Sequence, residues 1–494
     1  MEKSILHFND VCVGVFDKLI AEFYKTPTDI AGFVSNITEE LHRWGIMLIQ
    51  ETLEGMDQMI RESGKWKSSW VIEKQPKEPN KKLTTSLGTV CFRKTLFTNK
   101  KTGEMCYLLD RIMGIEKHER ITEDAIAKLL EEAVQTSYRR GGEAASIMDV
   151  LTKQTVKNII HDLDFPQGWS KPKEKKIVDY LYIEADEDHI SLQYRDKKGD
   201  LTKSPKGRKN NGAITKLIYV HEGIAPDAPM SKRHHLINPH FFSRTAQGCS
   251  NEELWDTVYR YLDENYDLEK VKKVYVSSDG GGWIVGGMRR IAGVIHLLDQ
   301  YHLEEHLSSL ADHMLDDAAE VRAELHRILC KGTRQAFIEY VWELQGYLSE
   351  LDKVKRFEES RDYILKNWSA AKYRLKKTDG VVGSSTEGHV SHVLSSRMST
   401  AALGWSLKGA DKMAQLRAYY LNGGDMLELT RYQKEEMPVA VGGEYQDYIS
   451  PRRIIKKSKD ADHDLNRYYD RAQAHLSIDV KKKLYFQSHI WTDI

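Results

Sequence analysis

KKVYVSSDGGGW, Lys272 to Trp283, is the stretch that decides the fold. Val274, Tyr275 and Val276 form a β-branched and aromatic run that reads as a buried strand. Gly280 to Gly282 read as a tight turn, which leaves Asp279 at the strand's open end. Open α/β sheets place their chemistry outside the carboxyl ends of strands, so a carboxylate here is a candidate ligand or base. Strand-end aspartates also cap helices and hold turns. The reading therefore depends on a second copy upstream and a matching acidic position downstream.

Upstream, the Pro-, Gly- and Lys-rich Phe165 to Lys176 marks a domain boundary. Ile177 to Ala185 (IVDYLYIEA) reads as a strand ending at Asp186, and His189 to Tyr194 as a second strand returning beside it. A basic loop with Lys203, Lys206 and Arg208 leads to a third strand around Ile214 to Val220. Ser250 and Glu253 make a capping box for a helix carrying Leu254, Val258, Tyr261 and Leu262. The Val274 to Ser278 strand follows, then a fifth apolar run, Gly293 to Leu298. Three strands, a helix and further strands, with an Asp ending the first and the fourth, is the layout of an α/β ribonuclease H-like domain. Two carboxylates side by side repel unless a cation sits between them, which suggests magnesium.

Downstream, Tyr301 to Lys377 reads as a charged α-helical insertion with an apolar subset including Leu307, Leu325, Phe337, Val341 and Ile364. After it, Ser385 or Thr386 can cap a helix with Glu387 in its first turn, where it can face the two aspartates. A first-turn acid is also a common partner of the helix dipole.

The amino-terminal part has a different texture. Residues 1 to about 63 have an amphipathic helical pattern, and 65 to 82 (KWKSSWVIEKQPKEPNKK) interleave lysines with Trp66 and Trp70. Those indoles either stack on bases or fold back onto a core. Leu83 to Leu109 alternates as a strand pair around a turn at Thr98 to Gly103. Ile121 to Leu163 has the outline of a preceding helix, a glycine-containing turn and a helix opening TKQTVKN. That fits a helix-turn-helix, with Arg139, Arg140, Lys153 and Lys157 as phosphate contacts, and equally a three-helix cluster without DNA. SPRRIIKKSKD and Lys481 to Lys483 are further basic runs near the carboxyl end.

Composition bounds these readings. At 494 residues the chain exceeds the roughly 250 to 300 at which one core stops growing, so two to four domains are expected. Lysine plus arginine equals aspartate plus glutamate at 73 each, so any basic surface must be local. The five cysteines include no CxxC pair, which argues against a zinc ribbon. With no apolar run of about 18 residues and no signal-like start, the expectation is a soluble cytoplasmic protein without membrane contact. SDGGGWIVGG lacks the GK[ST] of a phosphate loop, and Val285 breaks a GxGxxG count from Gly280.

Asp186 in YIEADEDHISLQ, Asp279 in VYVSSDGGGW, LDQYHLEEHL, and STEGHVSHVLSSRMS followed by GWSLKGADKMAQLR resemble bacterial insertion-sequence transposases of the ISLre family, relatives of the Mutator-like DDE transposases. The likeness covers about Leu83 to Arg417. It implies a catalytic, metal-holding triad of Asp186, Asp279 and Glu387, with Asp188 and Glu184 competing as the first ligand. It also implies a role for Asp299 and His302 of DQYH, and two magnesium or manganese ions. DNA is the implied partner, both terminal inverted repeats and target, bound by a homodimer or larger assembly at the nucleoid. Trp405 in GWS is read as stacking on an unpaired base or as a core tryptophan. The expected organisation is a helical region and basic linker (1–82), a small β-element (83–120), a helix-turn-helix-like region (121–165), the ribonuclease H-like domain (176–302 and 381–420) split by the insertion (303–380), and a carboxyl-terminal region (421–494). A DNA-binding protein that no longer cuts, and a hydrolase with paired carboxylates such as a glycosidase, are the competing readings.

Overall fold

The computed structural model describes residues 7–435 apart from 167, 169–171, 195–201, 204–208, 292, 349–350, 377–379, 385 and 401–402. The chain divides into two compact units, one drawn from Met1–Leu129, Gly142–Thr152 and Thr430–Ile494, the other from Leu130–Gly141 and Lys153–Leu429.

In the first unit a long helix, Ile30–Ser63, starts where the Asp29 carboxylate accepts the Gly32 amide at 2.9 Å and stops at Gly64, whose φ of +64° suits glycine. Its inner face, Leu53 and Ile60, packs on Trp70, Val90, Phe92 and Phe97. These come from short strands: β1 (Trp70–Lys74), β2 (Lys81–Thr84), β3 (Thr89–Phe92), β4 (Leu96–Asn99) and β5 (Met105–Tyr107). The run read as one strand, LGTVCFRKTLF, is broken at residues 93–95, because β3 pairs with β2 while β4 pairs with β1 and β5. The buried Asp57 fixes that break by accepting the Thr95 amide at 2.8 Å and its hydroxyl at 2.7 Å. Trp70 is buried, and Trp66 packs edge-on against Phe97 with its N–H on the Arg61 carbonyl at 3.0 Å, so both indoles serve this core.

The second unit is mixed α/β. Its strands are β6 (Tyr180–Ser191), β7 (Thr202–Lys203), β8 (Lys209–Asn210), β9 (Gly212–His221), β10 (Gly223–Pro226), β11 (His234–Ile237), β12 (His240–Thr245), β13 (Lys273–Ser278) and β14 (Val294–Leu298). Five of them form one sheet in the order β12-β9-β6-β13-β14. The β12, β9 and β6 neighbours are antiparallel, and β6, β13 and β14 run parallel. The expected return at His189 is corrected here: β6 runs straight through Asp186 to Ser191, and the returning strand is β9, paired along ten positions from Tyr182 to Ser191. One sheet face carries the helix Asn251–Asn265, which has the anticipated capping box and buries Trp255, Val258 and Leu262 against Ile183, Ile218 and Val276. Residues 300–376 are a run of helices with a core of their own around Leu307, Leu325, Phe337, Phe357 and Ile364. Among the described residues no helix is long and apolar enough to cross a membrane.

Candidate active site

The parallel pairing of β13 with β6 sets Ser277 opposite Glu184. The paired residues end there: Asp279 follows two residues on, just past β13, and Asp186 lies two residues beyond Glu184 within β6. Asp279 turns the chain: its Oδ1 accepts the Gly281 amide at 2.8 Å, at the start of the helix Gly282–Met288. Gly280 has φ +83°, and a Cβ there would lie 2.5 Å from Oδ1 of Asn367. Gly287 in the same helix meets the Trp255 indole, where a Cβ would come within 1.9 Å of Nε1. Close packing thus accounts for these two glycines with no nucleotide.

The electrostatics place further groups in the same field. Asp299 follows β14 as Asp279 follows β13, and it caps the helix Gln300–Ala311 through the His302 amide at 3.2 Å. It also receives His302 Nδ1 at 3.1 Å and the Ser384 hydroxyl at 2.7 Å. Burial works against its charge, yet these hydrogen bonds and the His302 charge bring Asp299 down to about 2. His302 is raised, first by its bond to Asp299, against burial, and then by the charges of Asp299, Asp186 and Asp279. Tyr363, from the helix Leu351–Lys366, donates its hydroxyl to the Asp279 carbonyl at 2.6 Å; burial and then the charges of Asp279, Asp299 and Asp186 push its pKa up. His302 and Tyr363 therefore both lie in the field of Asp186, Asp279 and Asp299, and Asp299 contacts His302 directly.

Alternation along β6 puts Glu184, Asp186 and Asp188 on one face, and their partners separate their roles. Glu184 is 2% exposed: Oε2 accepts the Tyr219 hydroxyl at 2.7 Å and the Thr386 hydroxyl at 2.6 Å, while Oε1 faces His221 Nε2 at 3.3 Å. Burial opposes its ionisation, and the bonds from His221, Thr386 and Tyr219 hold its pKa below the ordinary value. Asp188 Oδ1 accepts the Ser399 hydroxyl at 3.2 Å. The chain from Thr386 to Ser399 is thus anchored to β6 on either side of Asp186. Glu387 follows Thr386 in the first turn of the helix Thr386–Val390. The Glu387 side chain and Ser385 lie outside the described residues, and among those described no group of three or more His, Cys, Asp or Glu is placed to hold a metal ion.

Beneath this cluster sits Arg374, 4% exposed, from the helix Trp368–Lys376. Its guanidinium donates to the Leu298 carbonyl at 2.8 Å, the Val382 carbonyl at 2.6 Å and the Ser277 hydroxyl at 2.5 Å. One side chain thereby joins two strand ends to the segment leading to Glu387. The sequence reading did not single it out, and no local pattern marks it.

The remaining candidates scatter. Trp405 is a correction: it is 6% exposed, its N–H donates to the Met398 carbonyl at 2.8 Å, and Arg397 sits 5.2 Å over its ring, so no face is offered to a base. Arg139 and Arg140 are exposed on the helix Tyr138–Ala144. Lys153 is exposed and Lys157 half-buried on the helix Lys153–Asp162, whose Val156 and Ile160 are buried. Lys206, Arg208 and the basic runs at 452–457 and 481–483 lie outside the described residues.

Among solved structures, the chain is similar to one in the Drosophila P element transposase strand transfer complex, at 9% identity over 66% of this chain and 84% of that one; the TM-score of 0.24 carries no argument. A UPF0236 protein of Caldanaerobacter subterraneus subsp. tengcongensis is 32% identical over 435 residues, which is 88% of this chain and 86% of that protein; its name spans eleven loci. A second from the same bacterium, spanning four loci, is also 32% identical over 435 residues. The family model for the uncharacterised protein family UPF0236 matches residues 25–436. On that span and those relatives, the chain belongs to UPF0236.

Proposed function

We propose that this chain is a DDE-type DNA transposase with a ribonuclease H-like catalytic domain. The observation that carries the reading is that Asp279, just past β13, and Asp186, within the parallel neighbour β6, both act on His302 and Tyr363. An aspartate within β6 and another just past β13, with a third acidic residue following Thr386, suit hard divalent cations with oxygen ligands. Asp186, Asp279 and Glu387 are the residues that would hold two magnesium or manganese ions. When bound, such a pair lowers the pKa of an attacking water or 3′-hydroxyl and stabilises the leaving oxygen of a phosphodiester.

The chain's own residues position the rest. Glu184 fixes the start of the Glu387 helix through Thr386, and Arg374 ties β13 and β14 to the segment before it. His302, raised first by its bond to Asp299 and then by the surrounding carboxylates, is suited to contact a scissile phosphate, and Asp299 orients it. Arg139, Arg140, Lys153 and Lys157 supply backbone contacts to the element's terminal repeats in a helix-turn-helix arrangement, and two ends call for a dimer or larger assembly on the bacterial nucleoid. That a single UPF0236 protein occupies many loci in one bacterium supports the reading, because self-copying elements multiply in this way.

The test uses a supercoiled plasmid carrying the DNA that flanks the gene. The wild-type chain nicks it in magnesium and not in a chelator, while Asp279→Asn loses at least 1,000-fold in nicking, an order-of-magnitude figure for losing a metal-activated attack, and binds DNA as before. Retained nicking in Asp279→Asn overturns the assignment. Binding without nicking by the wild-type chain leaves a DNA-binding protein derived from a transposase.

A further inference from the structure

The first unit contains a half-open cleft of about 830 Å³ between β2, the break before β4 and the loop after Gly114, lined among others by Lys81, Lys82, Lys94, Lys117 and Arg120. None of the residues assigned above lies in it. The cleft is braced from several sides. The Thr84 amide donates to the Arg120 carbonyl at 2.8 Å, the Thr122 amide donates to Thr84 at 2.9 Å, and the Lys81 ammonium reaches the Glu119 carbonyl. His118 is held at φ +73°, a conformation that a non-glycine residue adopts only when its neighbours impose it. Asn80 clamps Lys94 through both its backbone groups, at 2.9 and 3.0 Å.

Charge in the cleft is unbalanced. Of its carboxylates, Asp110 is paired with the buried Lys94 and Glu119 with Lys434 at 3.1 Å, while Asp149 accepts the Thr89 amide at 2.6 Å and keeps its charge; the cations of the lining, five against three carboxylates, still outnumber them. Among the described residues Lys82, Lys117 and Arg120 have no ion-pair partner, so three cations face the open side. The phenol ring in the lining, Tyr107, is already covered by the Lys94 ammonium at 3.9 Å, so a nucleobase finds no free phenol to stack on. Several exposed cations on one cleft without a base platform match the sugar-phosphate backbone better than a free nucleotide.

We propose that this cleft is a second DNA-binding site, which grips the phosphodiester backbone of duplex DNA without reading its sequence. The full chain is titrated into a labelled duplex of unrelated sequence at several salt concentrations. Lys82→Ala/Lys117→Ala/Arg120→Ala is expected to weaken binding on the order of 100-fold near about 0.1 M salt and to reduce the slope of log affinity against log salt by about 2 to 3. Should the triple variant fold poorly, Arg120→Gln alone is expected to reduce the slope by about 0.9, and Lys117→Arg to leave it unchanged. Unchanged affinity and slope overturn the proposal. So does displacement of the duplex by ATP or inorganic phosphate at concentrations too low to alter ionic strength, which would make the cleft a phosphate or nucleotide pocket. A triple variant that binds normally beside a wild-type chain that nicks removes the cleft and leaves the transposase reading intact; lost binding beside a wild-type chain that never nicks does the reverse.

Discussion

His240 stacks on Tyr261 at 4.1 Å, and burial pushes its pKa down to about 4. In the unfolded chain histidine titrates near 6.5, so as pH falls below that value the unfolded state takes up a proton that folded His240 refuses. Its contribution is complete above pH 6.5 and is lost as pH falls towards 4, about 3 kcal/mol in all. His240→Phe is expected to flatten the pH dependence of the urea midpoint between pH 6.5 and 4, leaving the share of His296, also lowered to about 4 by burial. Identical pH profiles for the two proteins would show that His240 does not stay neutral. Such roles are invisible in a sequence, and the acidic face of β6 shows how far residue reading reaches. Alternation put Glu184, Asp186 and Asp188 on one side. What separates them is Tyr219, 35 residues away, and Thr386, 202 residues away, both on Glu184. Asp186 and Asp279 were legible because each sits in a strand pattern; Arg374 was not, because its acceptors are backbone carbonyls and a serine from distant segments.

Strands were misread where polarity and pairing disagree. Asp186, Glu187 and Asp188 are poor strand formers, so the sequence suggests an end at Asp186. The ladder to β9 continues regardless, because that face meets Thr386 and Ser399 rather than an apolar layer. β12 is not singled out in the sequence because its six residues include His240, Ser243 and Arg244; it pairs antiparallel with β9 along its whole length, and Asp411 holds it by accepting both Arg244 and the Thr245 amide. The strand and turn at β13 match the sequence reading, which named no helix after them; the helix Gly282–Met288 that follows has glycines in sharp contrast. Gly286 and Gly287 are adjacent in one helix, yet a Cβ on Gly286 meets nothing within 4 Å and one on Gly287 enters the buried Trp255 indole. Gly286→Ala is expected to stabilise by roughly 0.5 to 1 kcal/mol through helix propensity. Gly287→Ala is expected to destabilise by about 1 to 3 kcal/mol through overpacking. Denaturant unfolding of the pair reads both signs, and equal effects would contradict the packing described.

Neither unit is a continuous piece of sequence, which is why boundaries drawn from composition could not find them. Leu130–Gly141 belongs to the second unit although it precedes Gly142–Thr152 of the first. It supplies the Ala133 carbonyl to Arg397 at 3.0 Å, the Val134 carbonyl to Arg417 at 3.3 Å, and Tyr138 edge-on to Trp405 at 6.1 Å. A fragment beginning at residue 153 leaves two buried guanidinium groups short of acceptors, each loss amounting to about 1.5 to 3 kcal/mol. Compared with a fragment beginning at 130, it is expected to melt about 10 °C lower or without a cooperative transition, as read by circular dichroism. Equal melting would mean that the segment is dispensable. The helices between β14 and Thr386 are uneven in the same sense. Tyr363, Asn367 and Arg374, which touch the acidic strand ends, all come from the last stretch, whereas Arg334–Gln345 gives no described side chain to that cluster. Charge added along the exposed face of Arg334–Gln345 is therefore expected to leave the acidic groups undisturbed, provided Phe337, Val341 and Leu344 keep their place among the helices that hold Tyr363 and Arg374.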